Sequence, residues 1–190
     1  MMKTLVAAAA LAAAGLAQAE AATYAIDPTH TFVTYEAKHA GTSTSRGRFD
    51  KKEGSVTYDK AAKTGRVDVT IDMTAISTGV PALDTHLKSK DFFNAAEVPT
   101  AKFAGDKFSF DAAGKVTSVA GSLTLLGKTL PVTLAATNFN CYENPMLKRE
   151  VCGGDFETTI QRSQWGVSYG LQYGLPDSIR LVIQVEAVKQ

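Results

Sequence analysis

The chain has 190 residues, with 20 Lys and Arg against 19 Asp and Glu and 45% hydrophobic composition. Its near-neutral charge and dispersed basic residues give no electrostatic case for nucleic acid or an anionic membrane surface. The length suits one domain whose core is large enough to fold without a metal, and no linker, repeat or low-complexity run divides it.

At the start, Lys3 precedes an apolar run over residues 5–16, and Ala17 and Ala19 are placed for cleavage before Glu20. This reads as a secretory signal peptide over residues 1–19. About a dozen apolar residues are too few to span a bilayer, and no cysteine follows to take a lipid. Residues 20–190 are therefore expected to be a single exported domain and not an integral membrane protein.

Period-two alternation then predicts strands. In residues 31–39, Val33, Tyr35, Ala37 and His39 share one parity against Thr34, Glu36 and Lys38. The pattern recurs at 55–58, at 66–72 where Val67, Val69 and Ile71 alternate with charges, and at 119–125, 130–136 and 179–188. Turn chemistry at Lys63-Thr64-Gly65, Asp111-Ala112-Ala113-Gly114 and Leu126-Gly127-Lys128 separates runs as in antiparallel hairpins. Between them, Pro81 at a first helical position with Leu83 and Leu87 four apart predicts a short helix, and Phe92-Phe93 follow as two adjacent large rings. Gly41-Thr42-Ser43-Thr44-Ser45 reads as a loop of small polar residues.

The expected fold is all-β and antiparallel, with about eight strands. Periodicity alone does not separate an up-and-down barrel from a two-layer sandwich. The barrel is favoured because Leu83, Leu87, Phe92 and Phe93 need an opening to cover, and because a barrel of about eight strands can enclose one apolar ligand.

Cys141 and Cys152 lie in a chain read as exported and flank a turn-forming segment, which predicts a disulfide between them. Their spacing is not that of a redox-active C-x-x-C pair. Each histidine has an acid nearby in Asp27-Pro28-Thr29-His30, Glu36-Ala37-Lys38-His39 and Asp84-Thr85-His86. Asp84 and His86 could offer two metal ligands, but no H-x-H or H-x-x-x-H spacing supports a site, and no metal or cofactor is expected. His30 reads as a turn residue bonded near Asp27, and His86 as a residue at a helix start. His39 ends the inward parity of its strand, where a polar tip could meet a ligand headgroup. There is no G-x-S-x-G elbow, phosphate loop or dinucleotide fingerprint, so an enzyme has no motif to rest on.

Several ordered motifs span nearly all of residues 20–190. They are Tyr24-x-Ile26-Asp27-Pro28-x-His30, His39, Gly47-x-Phe49 with Gly54, and Asp84-x-His86-Leu87-Lys88-Ser89-x-Asp91-Phe92-Phe93 with Pro99 and Phe103. Gly121-x-Leu123-Thr124-Leu125-x-Gly127-x-Thr129-x-Pro131-Val132 and Arg162-Ser163-x-Trp165-Gly166 complete the series. In this the chain resembles the YceI-like family. The resemblance implies a lipocalin-like barrel in the periplasm, enclosing a long polyisoprenoid such as a quinone tail or an isoprenyl phosphate. The residues expected to line that tunnel are Val33, Tyr35, His39, Phe49, Ile71, Leu87, Phe92, Phe103, Leu123, Leu125 and Trp165. Trp165 stands where the family more often has Phe or Tyr, and the Cys141–Cys152 loop is not shared across it. Three functions compete: a periplasmic lipid carrier, which the sequence favours; a partner-binding or stress-response protein of the cell envelope; and a metal-dependent enzyme. A homodimer stays open.

Overall fold

The computed structural model describes residues 21–190; the expected signal peptide lies outside them. Eleven strands follow in chain order. They are β1 (Ala22–Ile26), β2 (Phe32–His39), β3 (Ser43–Phe49), β4 (Lys52–Asp59), β5 (Thr64–Asp72), β6 (Ile76–Ser77), β7 (Thr100–Phe110), β8 (Val116–Leu125), β9 (Lys128–Asn144), β10 (Arg149–Gln161) and β11 (Ser178–Lys189). Among the described residues one α-helix, α1 (Pro81–Lys88), stands between β6 and β7. Among the described residues no helix is long and apolar enough to cross a membrane.

Every pairing is antiparallel, and the order β1-β4-β5-β7-β8-β9-β10-β11 closes on itself because β11 also pairs with β1, Tyr24 opposite Lys189. This is an eight-strand closed barrel. Its first two staves are each broken in the middle. β1 and β2 lie in succession along one edge of β11, β1 against residues 187–189 and β2 against 180–184, while β3 and β4 return beside them. The two-residue β6 continues β5 past a 3₁₀ turn, Met73–Ala75, and pairs with β3.

The turns at residues 111–114 and 126–127 fall where the sequence predicts them, whereas the one expected at Lys63-Thr64-Gly65 comes earlier, over residues 60–63, because Thr64 and Gly65 already pair with Asp59 and Tyr58. Leu126 and Gly127 both have positive φ, as a two-residue hairpin turn between twisted strands requires. The polar 43–45 segment, expected as loop, is instead the start of β3, because its partners Lys38, Ala37 and His39 on β2 supply a complete ladder whatever the side chains are. Gly153 and Gly154, silent in the sequence, sit in mid-strand in β10. A Cβ on Gly153 would come within 2.1 Å of the Val185 carbonyl oxygen, and one on Gly154 within 2.0 Å of that of Asn138. Only glycine admits so close a backbone approach on both sides of the strand.

The inward parity of β11 carries Leu181, Ile183, Val185 and Ala187, and that of β5 carries Val67, Val69 and Ile71. Alternation thus lines the interior with aliphatic side chains. Cys141 and Cys152 are directly opposite in the β9–β10 ladder and joined by a disulfide, with Cα atoms 4.0 Å apart.

Candidate functional site

The interior holds two cavities that share Val33, Ile71, Leu123 and Leu181 in their walls, so they follow one another along the barrel. The inner one is about 140 Å³ and the outer one about 380 Å³. The inner wall has no charged residue. At its far end Tyr58 packs against Phe108, Phe110 and Phe139 with ring centroids 6.5, 6.3 and 6.0 Å apart. Cys152 of the disulfide lines the same cavity. Just beyond, the Tyr24 hydroxyl donates to Glu150 Oε1 at 2.5 Å, and Glu150 also pairs with Lys60. Burial, then the Glu150 carboxylate, pushes the Tyr24 phenol well above its ordinary value, so it stays a hydrogen-bond donor.

The outer cavity lies under α1 and the segment linking β10 to β11. Pro81 opens the helix, and Asp84 in its first turn accepts from the Thr78 backbone N–H at 2.7 Å and the Thr78 hydroxyl at 2.6 Å. These bonds fix the helix over the gap that opens where β6 ends. Leu87 then points into the interior, buried, with Leu83 and Phe93 beside it, and Phe93 meets Phe49 edge-on at 5.8 Å. At the rim the rings of His86, Phe92 and Tyr169 form a triangle with centroids 5.0 to 5.2 Å apart. It joins the helical side of the mouth to the opposite segment.

Arg162, in the 3₁₀ turn Arg162–Trp165, is only 7% exposed. Its Nε donates to the Pro176 carbonyl at 2.8 Å, Nη1 to Val167 at 2.9 Å and Nη2 to Tyr169 at 2.9 Å, and the guanidinium carbon lies 5.9 Å from the centre of the Phe92 ring. Burial draws its pKa down, and the charge of Asp177 works against that. The Asp177 carboxylate itself accepts from the Ser163 backbone N–H and hydroxyl at 2.8 and 2.6 Å.

Of the residues singled out from the sequence, Tyr35, His39, Phe49, Leu87, Phe92 and Leu125 line the outer cavity and Phe103 the inner one; Val33, Ile71 and Leu123 line both. Trp165 lines neither. It is 2% exposed, and its indole N–H is spent on the Leu123 carbonyl of β8 at 3.0 Å, which anchors the 3₁₀ turn to the wall instead of presenting a ring to the interior. Asp84 and His86 do not converge either: while Asp84 serves Thr78, His86 Nε2 meets Asp91 Oδ2 at 3.1 Å. His86 also stands in the last turn of α1, not the first. Among the described residues, the one group of potential ligands close enough for a metal is Cys141, Glu150 and Cys152, and two of these are oxidised to the disulfide.

The aromatic cluster at the inner end and the guanidinium at the mouth were not anticipated as site residues. Phe108 and Phe110, two apart and hence on one face of a strand, carried a signal; Arg162 gave none beyond its place in the family motif.

A family model described as a YceI-like domain matches residues 24–187. Protein YceI of Escherichia coli O157:H7 is 34% identical over 175 residues, 90% of each chain. The structure resembles Burkholderia cenocepacia BcnA with a TM-score of 0.71 at 23% identity, covering 85% of this chain and 99% of that one. It also resembles a polyisoprenoid binding domain from Saccharophagus degradans, implicated in plant cell wall breakdown, with a TM-score of 0.64 at 14% identity, covering 88% and 98%. The chain belongs to the YceI-like family.

Proposed function

We propose that this protein is a periplasmic carrier that holds a long polyisoprenoid lipid, of the quinone or isoprenyl phosphate type, inside its barrel. The observation that carries the reading is the pair of contiguous cavities, apolar throughout the inner one and opening beneath α1. The tail of a polyisoprenoid is flexible and uniformly apolar, which suits an inner cavity lined without charge. Each five-carbon unit buried contributes about 4 kcal/mol on the scale of about 0.8 kcal/mol per CH₂. About three or four units offset the roughly 4–15 kcal/mol lost to immobilisation, without any catalytic group. The polyisoprenoid-binding domain of Saccharophagus degradans, alike in fold, supports the same ligand class. The apolar run and small residues of positions 1–19 and the disulfide support an oxidising, extracytoplasmic location.

The test is mass spectrometry of lipid extracted from protein purified from its native host, followed by fluorescence titration of the lipid-free protein with a quinone and an isoprenyl phosphate. A co-purifying isoprenoid with saturable binding is expected. Protein that carries no lipid and binds neither ligand would remove the carrier reading.

A further inference from the structure

Resting on that reading, we propose that the mouth of the barrel is an anion subsite: the lipid it favours bears a phosphate-type head, received by Arg162, in preference to a neutral head. The two cavities differ sharply in charge. The wall of the outer one includes the buried Arg162 and not one Asp or Glu, whereas the inner wall has no charge of either sign. A ligand threaded through both therefore meets apolar surface along its tail and a guanidinium at its head.

Arg162 is the centre of this arrangement. A guanidinium has five N–H donors, and three are taken by the carbonyls of Pro176, Val167 and Tyr169. Carbonyls satisfy hydrogen bonds but do not neutralise a charge. Among the described residues Arg162 makes no ion pair, and Asp177, which acts on it from farther away, is already held by Ser163. A buried cation with only a more distant countercharge is costly, and an anion bound beside it offsets that cost. The planar fork, fixed by three backbone carbonyls and with N–H groups to spare, matches the oxygens of a phosphate monoester.

Arg162 could instead act only as a strut for the segment around residues 166–176, and the test separates the two roles. The full chain is titrated with geranylgeranyl monophosphate and with geranylgeraniol, which share one tail. The phosphate is expected to bind at least about tenfold more tightly, the scale of one charge-assisted contact. Arg162→Gln should bring that ratio to about twofold or less, and Arg162→Lys should keep part of it. If the glutamine variant does not fold, the ratio in the unaltered protein and in the lysine variant carries the test. Equal affinities in the unaltered protein, or a ratio unchanged in folded variants, overturn the subsite and leave the carrier reading standing. Binding of neither lipid overturns both. Inorganic phosphate that competes at the same concentration as the lipid phosphate would show a free-anion site, and that too overturns the proposal.

Discussion

The two ends of the barrel are built by different means. At the inner end long strands pair on both sides, with bulges in the β7–β8 ladder, a disulfide ties β9 to β10, and Tyr58 sits in a cluster of aromatic rings. At the mouth the ladder gives out: β6 is two residues long, and the space is filled by an eight-residue helix, 3₁₀ turns and three rings that touch across elements. A ladder of long strands opens cooperatively, whereas contacts between short elements open one by one. The difference teaches that rigidity and access are assigned to opposite ends, so that damage to the first should be read in stability and damage to the second in affinity.

The contrast can be broken most forcefully at Tyr58. Tyr58→Ala should destabilise the lipid-free protein by about 3–5 kcal/mol, the usual cost of removing a buried aromatic ring, read as a fall in the urea midpoint. A variant of unchanged midpoint that merely binds lipid less well would make the cluster a ligand wall. Replacing both Cys141 and Cys152 by Ala should cost about 2–3 kcal/mol by the loop-entropy argument and leave lipid titration curves nearly superimposable. A large loss of affinity in that variant would show that the disulfide shapes the tail end of the tunnel as well as bracing it.

At the other end, Phe92→Ala should weaken lipid binding about tenfold or more, roughly 1.4 kcal/mol, with the melting temperature of the lipid-free protein lowered by only a few degrees. Global unfolding would place Phe92 in the common core and erase the distinction. The smallest effect is expected between the two ends, at the break from β1 to β2. There His30 Nδ1 lies 2.7 Å from Asp27 Oδ2. Burial alone would raise the Asp27 carboxyl, but bonds from His30 and Thr29 outweigh it and hold it at about 2, while Asp27 draws His30 above its ordinary value. The pair's small contribution is therefore full between about pH 4 and about pH 6.5. It is lost as pH falls toward 2 and Asp27 is protonated, and as pH rises through the raised value of His30. Urea midpoints of the unaltered protein and His30→Gln should differ near pH 5 and converge near pH 9; a gap of equal size at both would show that charge is not involved.

What the sequence made legible follows from where side chains decide structure. Alternation marked β5 and β11 because one face of each is buried, and Pro81 with Leu83 and Leu87 marked α1 because a helix start and an apolar stripe are both local signals. The beginning of β3 and the middle of β10 were illegible, since Ser43, Thr44, Gly153 and Gly154 are held by backbone pairing that their side chains do not announce. The tunnel wall was largely readable from parity. Trp165 was not, because burial in the wall and exposure to the cavity leave the same apolar signature, and only the indole N–H bond to Leu123 tells them apart. Arg162 was hidden for a related reason: its burial depends on a segment fourteen residues downstream folding back to supply the Pro176 carbonyl.

The seam of the barrel joins Tyr24 to Lys189, with the Gln190 N–H donating to the Thr23 carbonyl at 2.9 Å. The first and last strands of the barrel thus hold each other, and synthesis delivers one of them long before the other. Until β11 emerges, β1 and β2 have no partner on that side and the interior cannot be enclosed. Pairing so distant in sequence is slow to find, which leaves an interval in which the cylinder is a sheet with two free margins. A nonsense codon ahead of Ser178 would not yield a slightly shorter barrel but an open one, its apolar face exposed and both margins unpaired.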